Sequence, residues 1–153
     1  MRVSNVLLVA ALLVPAAGAT QLTLRPGEYE VEMHMDFGMA GGDAAQKAVL
    51  DAAGFQNQKR RECLAAEDLK GTNLAKLFAS EMEDENCKVS EPKTTGNLLT
   101  FTATCKEDGL TTNWSTEITF DPDSFSSVTK GKDSTGRVMG GKVTAKRVGE
   151  CRK

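Results

Sequence analysis

The chain has 153 residues, 40% of them hydrophobic and 26% charged, which is enough for one domain around one core and too little for two. Its 19 basic side chains stand against 21 acidic ones, a balance that gives no reason to expect nucleic acid or an anionic membrane as a partner. One Trp, one Tyr and six Phe leave few rings for a broad ligand cradle.

Residues 1–19 read as a cleaved secretory signal peptide. Arg2 supplies the basic start, Val6 to Val14 the apolar stretch, and Ala17-Gly18-Ala19 an A-x-A cleavage site. The apolar run breaks at Pro15 and is too short to span a bilayer, so no membrane span is expected. The residue directly after the cleavage site is Thr20 and not cysteine, which argues against a lipid anchor. The exported form then starts at Thr20, and residues 20–153 form a single domain. All four cysteines lie in that part, and an even count in an exported chain reads as two disulfides. None of them is spaced as C-x-x-C, so a zinc site is the weaker reading.

Pro26-Gly27 marks a turn that launches the first long strand, Glu28 to Phe37. Its alternation is complete, with Tyr29, Val31, Met33, Met35 and Phe37 on one side and Glu28, Glu30, Glu32, His34 and Asp36 on the other. Gly38 and Gly41-Gly42 break it. Asp43 then reads as the N-cap of a short helix, Ala44 to Ala53, with Gly54 at its C-terminal end. Gln56 to Glu62 is polar on both faces and suits an exposed edge strand before Cys63. Ala65 to Lys70 suggests a helical turn. Asn73 to Met82 reads as a helix whose stripe Leu74, Leu77, Phe78, Met82 is expected to pack on the core, not to bind a partner.

Cys87 to Cys105 reads as a hairpin. Counting inward, Cys87 faces Cys105, Val89 faces Ala103 and Glu91 faces Phe101, with Thr95-Gly96-Asn97 as a three-residue bend. Phe101, Ala103 and Cys105 share the inner face. Cysteines opposed at a non-hydrogen-bonded strand pair lie near the short end of the disulfide range, so Cys87–Cys105 is the expected bridge and Cys63–Cys151 follows by elimination. Beyond it, Thr112, Trp114, Thr116, Ile118 and Phe120 alternate inward, and Asp121-Pro122-Asp123-Ser124 is a tight turn. A strand from Phe125 to about Lys132, a Ser-Thr-Gly turn and a last strand from Arg137 to Val148 complete the series. In that last strand Gly140-Gly141 suggests a bulge or bend. The fold class is mainly β: a curved antiparallel meander or partly closed barrel with two short α-helices, stapled by two disulfides.

Few residues invite catalysis. His34 is the sole histidine and lies on the wet face between Glu32 and Asp36. Neighbours on one strand face stand roughly 6.5–7 Å apart, too wide for one small ion without a second strand, and an exposed row does not shift pKa values as acid/base work requires. Gly38 to Gly42 lacks the Lys of a phosphate loop. Asn113-Trp114-Ser115 matches a short glycosylation pattern. The cluster Lys59-Arg60-Arg61 is too poor in aromatics for a nucleic-acid surface. No cofactor and no catalytic metal are expected.

Several motifs in order resemble one known family. They are Pro26-Gly27-Glu28-Tyr29-Glu30, Cys63 before a short helix, the Asn86-Cys87 to Cys105 hairpin, Asp123-Ser124-Phe125, and the ending Lys146-Arg147-Val148-Gly149-Glu150-Cys151. Together they are similar to the exported bacterial domain-of-unknown-function family 3617, with Tyr29 where that family usually has Trp and Glu150 where it has Asp. The resemblance implies a periplasmic location and an antiparallel β fold, and brings no activity. Two functions follow as expectations. The first is a non-catalytic binding or envelope-support module, holding an apolar ligand or an envelope protein partner, with Met33, Met35, Phe101 and Trp114 as its lining. The second is a periplasmic enzyme or metal-binding protein using His34 and its neighbouring carboxylates.

Overall fold

The structure is a computed structural model that describes residues 22–36, 57–70 and 72–152. The expected leader with Thr20, Phe37 and the expected helix Ala44–Ala53 lie outside the described residues.

Among the described residues eight strands and one helix follow in chain order: β1 Gly27–Asp36, β2 Asn57–Leu64, α1 Thr72–Ser80, β3 Cys87–Val89, β4 Lys93–Thr95, β5 Leu98–Glu107, β6 Leu110–Asp121, β7 Ser124–Asp133 and β8 Val138–Gly149. They form one sheet in the order β2-β1-β8-β7-β6-β5-β3, with β4 also on β5. Every pairing is antiparallel. The sheet does not close, since β2 ends it on one side and β3 with β4 on the other. The expected meander is β5 to β8. Its turns are two or four residues long: Asp108-Gly109, both at positive φ as a type I′ turn requires, Pro122-Asp123, and Ser134 to Arg137. The segment 65–70 makes turns, with the Asp68 N–H donating to the Ala65 carbonyl and the Lys70 N–H to that of Glu67, and of the two expected helices the described residues include the second, as α1.

The polar segment expected as an edge strand is β2, exposed along most of its length and, among the described residues, paired only with β1. Its basic cluster is met by the outer row of β1. Lys59 reaches Glu30 at 2.8 Å and Glu32 at 3.1 Å, and Arg61 reaches Glu28 at 3.5 Å. A hydrogen bond from Lys59 is the main cause that holds Glu30 below the usual carboxylate range, and the same bond raises Lys59.

Alternation sorts the inner face as expected. Tyr29 and Val31 of β1, Leu99, Phe101 and Ala103 of β5, Thr116, Ile118 and Phe120 of β6, Phe125 and Ser127 of β7, and Ala145 of β8 are buried. Helix α1 lies on this face. Leu74 is fully buried, and the Phe78 ring meets Phe120 and Phe125 edge-on at 5.3 and 5.0 Å.

Two local readings are corrected. The hairpin keeps Cys87↔Cys105 and Val89↔Ala103 but loses Glu91↔Phe101. After Ser90, whose N–H donates to the Thr102 carbonyl and whose hydroxyl accepts from the Thr102 N–H, the chain leaves the sheet. It rejoins at Lys93 one residue out of step, with Lys93↔Thr100 and Thr95↔Leu98, so the bend is the two-residue loop Gly96-Asn97. Pro92, lacking an N–H, cannot continue a ladder, which accounts for the gap. The second correction concerns Gly140-Gly141. Both pair in unbroken register with β1 and β7, and the irregularity lies instead where Glu28↔Gly149 gives way to Tyr29↔Arg147, leaving Val148 as the extra residue.

The β7–β8 turn is organised by Asp133, which is 6% exposed. Its carboxylate accepts from the Thr135 hydroxyl (2.6 Å), the Thr135 N–H (2.9 Å) and the Arg137 N–H (3.0 Å), and it pairs with the Arg137 guanidinium at 3.2 Å. These donors, the Thr135 hydroxyl first, hold Asp133 below the usual carboxylate range. A carboxyl with a folded pKa below its unfolded value stabilises the fold above the unfolded value, and the contribution is lost as pH falls through the folded one. Asp133→Asn is therefore expected to melt below the wild type at pH 7. The gap between the two melting curves should narrow as pH falls from the unfolded value through the folded one, as the wild-type carboxyl becomes protonated. A difference that stays constant over that fall in pH would exclude this account.

Candidate binding groove

The inner face is not fully covered. Between α1 and the strands lies a groove of about 550 Å³, within the size range of small-molecule sites. Strand β1 supplies Val31, Met33 and Met35, and β8 supplies Gly141 and Val143. From the meander come Phe101, Trp114, Thr116, Ile118, Ser127 and Thr129, while Leu77, Phe78 and Met82 line the helical side. Other clefts of similar volume are bordered by charged side chains, for example Glu30, Glu32, Asp121 and Asp123 on the outer face.

Local chemistry explains why this region stays open. Toward the β2 edge the inner positions opposite Tyr29 and Val31 are Glu62 and Arg60, which bond each other at 2.7 Å along β2 and add no apolar filling. Two glycines set the larger side chains. Trp114 pairs with Gly131 across β6 and β7, and a Cβ on Gly131 would lie 2.5 Å from the indole Cε3. The indole thus rests on bare backbone. A Cβ on Gly141 would lie 2.7 Å from the Met35 Sδ, so the missing side chain makes room for that thioether. Hydroxyls occupy one strip of the floor, with the Thr116 and Thr129 oxygens 3.1 Å apart and the Met82 Sδ 3.5 Å from Thr116.

Met33, Met35, Phe101 and Trp114 are brought together on this one groove from three strands, β1, β5 and β6, with β7 and β8 between β1 and β6 in the sheet. The helix stripe is divided: Leu74 is core, whereas Leu77, Phe78 and Met82 are half-buried and also line the groove. Reading the sequence for periodicity turned Thr116 inward but did not single out Arg60, Glu62, Ser127 or Thr129 as lining. An isolated glycine in the β7 pattern could have pointed to the ring lying over Gly131.

His34 lies elsewhere. It is exposed on the outer face, with Nδ1 2.8 Å from the Asn57 Oδ1, and the nearby Glu32 is engaged by Lys59. Among the described residues no group of three or more His, Cys, Asp or Glu side chains comes together in a way that could hold a metal ion. Asn113 is exposed, its side-chain oxygen accepting from the Thr104 hydroxyl at 3.0 Å. The cysteines form Cys63–Cys151 and Cys87–Cys105, with Cα separations of 5.3 and 4.0 Å. No helix of the described residues is long and apolar enough to cross a membrane.

The short motifs that stand apart in sequence converge at one corner. The Arg25 N–H donates to the Pro122 carbonyl, its guanidinium pairs with Asp123, and the Tyr29 hydroxyl donates to the Arg25 carbonyl at 2.6 Å. Arg147 donates its Nε–H to the Pro26 carbonyl (2.8 Å) and its backbone N–H to the Asp123 carbonyl (2.8 Å), and its guanidinium pairs with Glu150. Tyr29 is wholly buried there against Phe125, and burial is the main cause that raises its phenol above the usual value. This corner holds the sheet together beside the groove.

Compared with known proteins, residues 24–151 match the model of a family described as "Protein of unknown function (DUF3617)". No curated protein and no solved structure matches the chain.

Proposed function

We propose, from the premise that this chain belongs to the DUF3617 family, that it is an exported, non-catalytic binding module of the periplasm whose inner-face groove takes an apolar ligand. The observation that carries this reading is the single groove shared by Met33, Met35, Phe101 and Trp114. Thioethers adapt to varied apolar shapes, and a half-buried indole held on backbone offers a rigid contact surface. The leader-like residues 1–19 and two disulfides support an oxidising compartment outside the cytoplasm.

Trp114 is the sole tryptophan, so its fluorescence reports on the groove directly. Native mass spectrometry of protein recovered from its own periplasm is expected to show a retained small molecule. Titration with an apolar naphthylamine dye is expected to shift Trp114 emission, and dye affinity should fall about tenfold or more in Trp114→Ala through the lost apolar contact. His34→Ala should leave dye binding unchanged. Loss of binding in His34→Ala, with Trp114→Ala unaffected, would place the site on the outer face and remove the basis for this reading.

A further inference from the structure

The groove shares Glu81, Met82 and Trp114 with a second cleft, of about 530 Å³, that continues the same face of the sheet. Along β6 the inner positions pass from Ile118 and Thr116 in the groove, through Trp114, to Thr112 in the cleft. The lining changes character at Trp114. On the groove side stand Met33, Met35, Phe101 and Ile118; on the cleft side stand Glu81, Asp84, Glu107 and Asp108, all four exposed. Among the described residues of the cleft the one cation is Arg137, which Asp133 already holds at 3.2 Å. Within the groove Arg60 and Glu62 bond each other at 2.7 Å, a neutral pair that does not set the sign of the site.

Acidic side chains alone would be no more than a solvated patch. Here they flank one end of an apolar groove, so they act on whatever the groove holds. From Ile118 to Trp114 is four residues of strand, about 13 Å, which matches an extended hydrocarbon chain of about ten carbons. The polar end of a ligand so placed reaches Trp114 and the four carboxylates. An anionic end is repelled there, because the nearby cation is engaged. A cationic end is drawn by the carboxylate field and by the face of the half-buried indole. We infer that the occupant is a single-chain amphiphile with a cationic amine head, its chain in the groove and its head beside Trp114, Glu81 and Glu107. This inference rests on the binding reading above and adds the ligand class.

The test compares three twelve-carbon probes, each below its aggregation concentration, by equilibrium dialysis against the full exported chain. They are dodecyltrimethylammonium, the neutral ether 1-O-dodecylglycerol and laurate. The cation is expected to bind about tenfold more tightly than the ether, from its contact with the indole and the exposed carboxylates together, and laurate more weakly than either. Raising the salt from about 20 mM to about 500 mM should cut the cation's advantage to about threefold, as exposed charges are screened. In Glu81→Gln/Glu107→Gln the low-salt advantage should likewise fall to about threefold. Equal binding of cation and ether by the wild type, tightest binding of laurate, or an advantage that survives the double variant undiminished overturns the cationic head while leaving the groove as a binding site. Binding of none of the three overturns the groove reading itself. The wild-type comparison with its salt dependence decides the matter even where the double variant does not fold.

Discussion

Replacing Cys63 and Cys151 together by serine is expected to cost about 4.5 kcal/mol of folding stability, against about 3 kcal/mol for the pair Cys87 and Cys105, because the longer loop loses more chain entropy when closed. The bridges span 88 and 18 residues respectively. Local structure widens the gap. Cys87 and Cys105 are already opposed across the β3–β5 ladder, so their register survives reduction in part. Cys63, by contrast, lies on the edge strand β2, whose one sheet neighbour is β1, and the bridge ties it to the residues after β8. Without it the exposed, charged β2 is held by one ladder and surface ion pairs, which contribute little individually. Urea denaturation of the two double variants, with export yield measured alongside, checks the order. A Cys87/Cys105 variant that proved the less stable of the two would show that the long bridge is not what fastens the edge.

Gly27→Ala is expected to cost about 3 kcal/mol, a large effect for a one-carbon change. Gly27 has φ of 149°, a conformation that L side chains rarely adopt, and a Cβ there would lie 2.4 Å from the Gly149 carbonyl oxygen and 2.6 Å from the Arg147 Nε. Either the strand or the bulge at Val148 must shift. Both shifts strain the bond from Arg147 to the Pro26 carbonyl and the burial of Tyr29 beside it. Gly149→Ala makes a suitable control, since a Cβ there meets nothing within 4 Å. Equal melting temperatures for Gly27→Ala and the wild type would mean that the close approach at this corner is not structurally required.

Much of the fold was legible because strand alternation has a period of two and burial follows it. Tyr29 and Val31, Phe101 and Ala103, and Ile118 and Phe120 are read inward from sequence and are buried. The hairpin count was right as far as Val89 and failed beyond it, since counting assumes an unbroken ladder and Pro92 breaks it. Glycine was the least legible residue. In a strand it marks a bulge or a close approach alike, and Gly140-Gly141 with Gly131 proved to be close approaches, to the Thr129 carbonyl, the Met35 thioether and the Trp114 ring.

By itself the sequence determined which side chains face inward, the Cys87–Cys105 opposition, the edge character of the segment before Cys63 and the tight turns of the meander. Each of these depends on neighbours a few residues away, or on a hairpin whose two arms are adjacent in the chain. Only the tertiary structure decided that β1 inserts between β2 and β8 and that Arg147 meets Pro26. The pairing of Arg60 with Glu62, and the place of both on the lining of one groove with Ser127, were likewise decided there. The reason is physical: alternation assigns a strand its face but not its neighbour. Pairing between chain ends carries a loop-closure cost that no local pattern encodes, and it is settled by the burial of Tyr29, Val31 and Ala145 in one shared core.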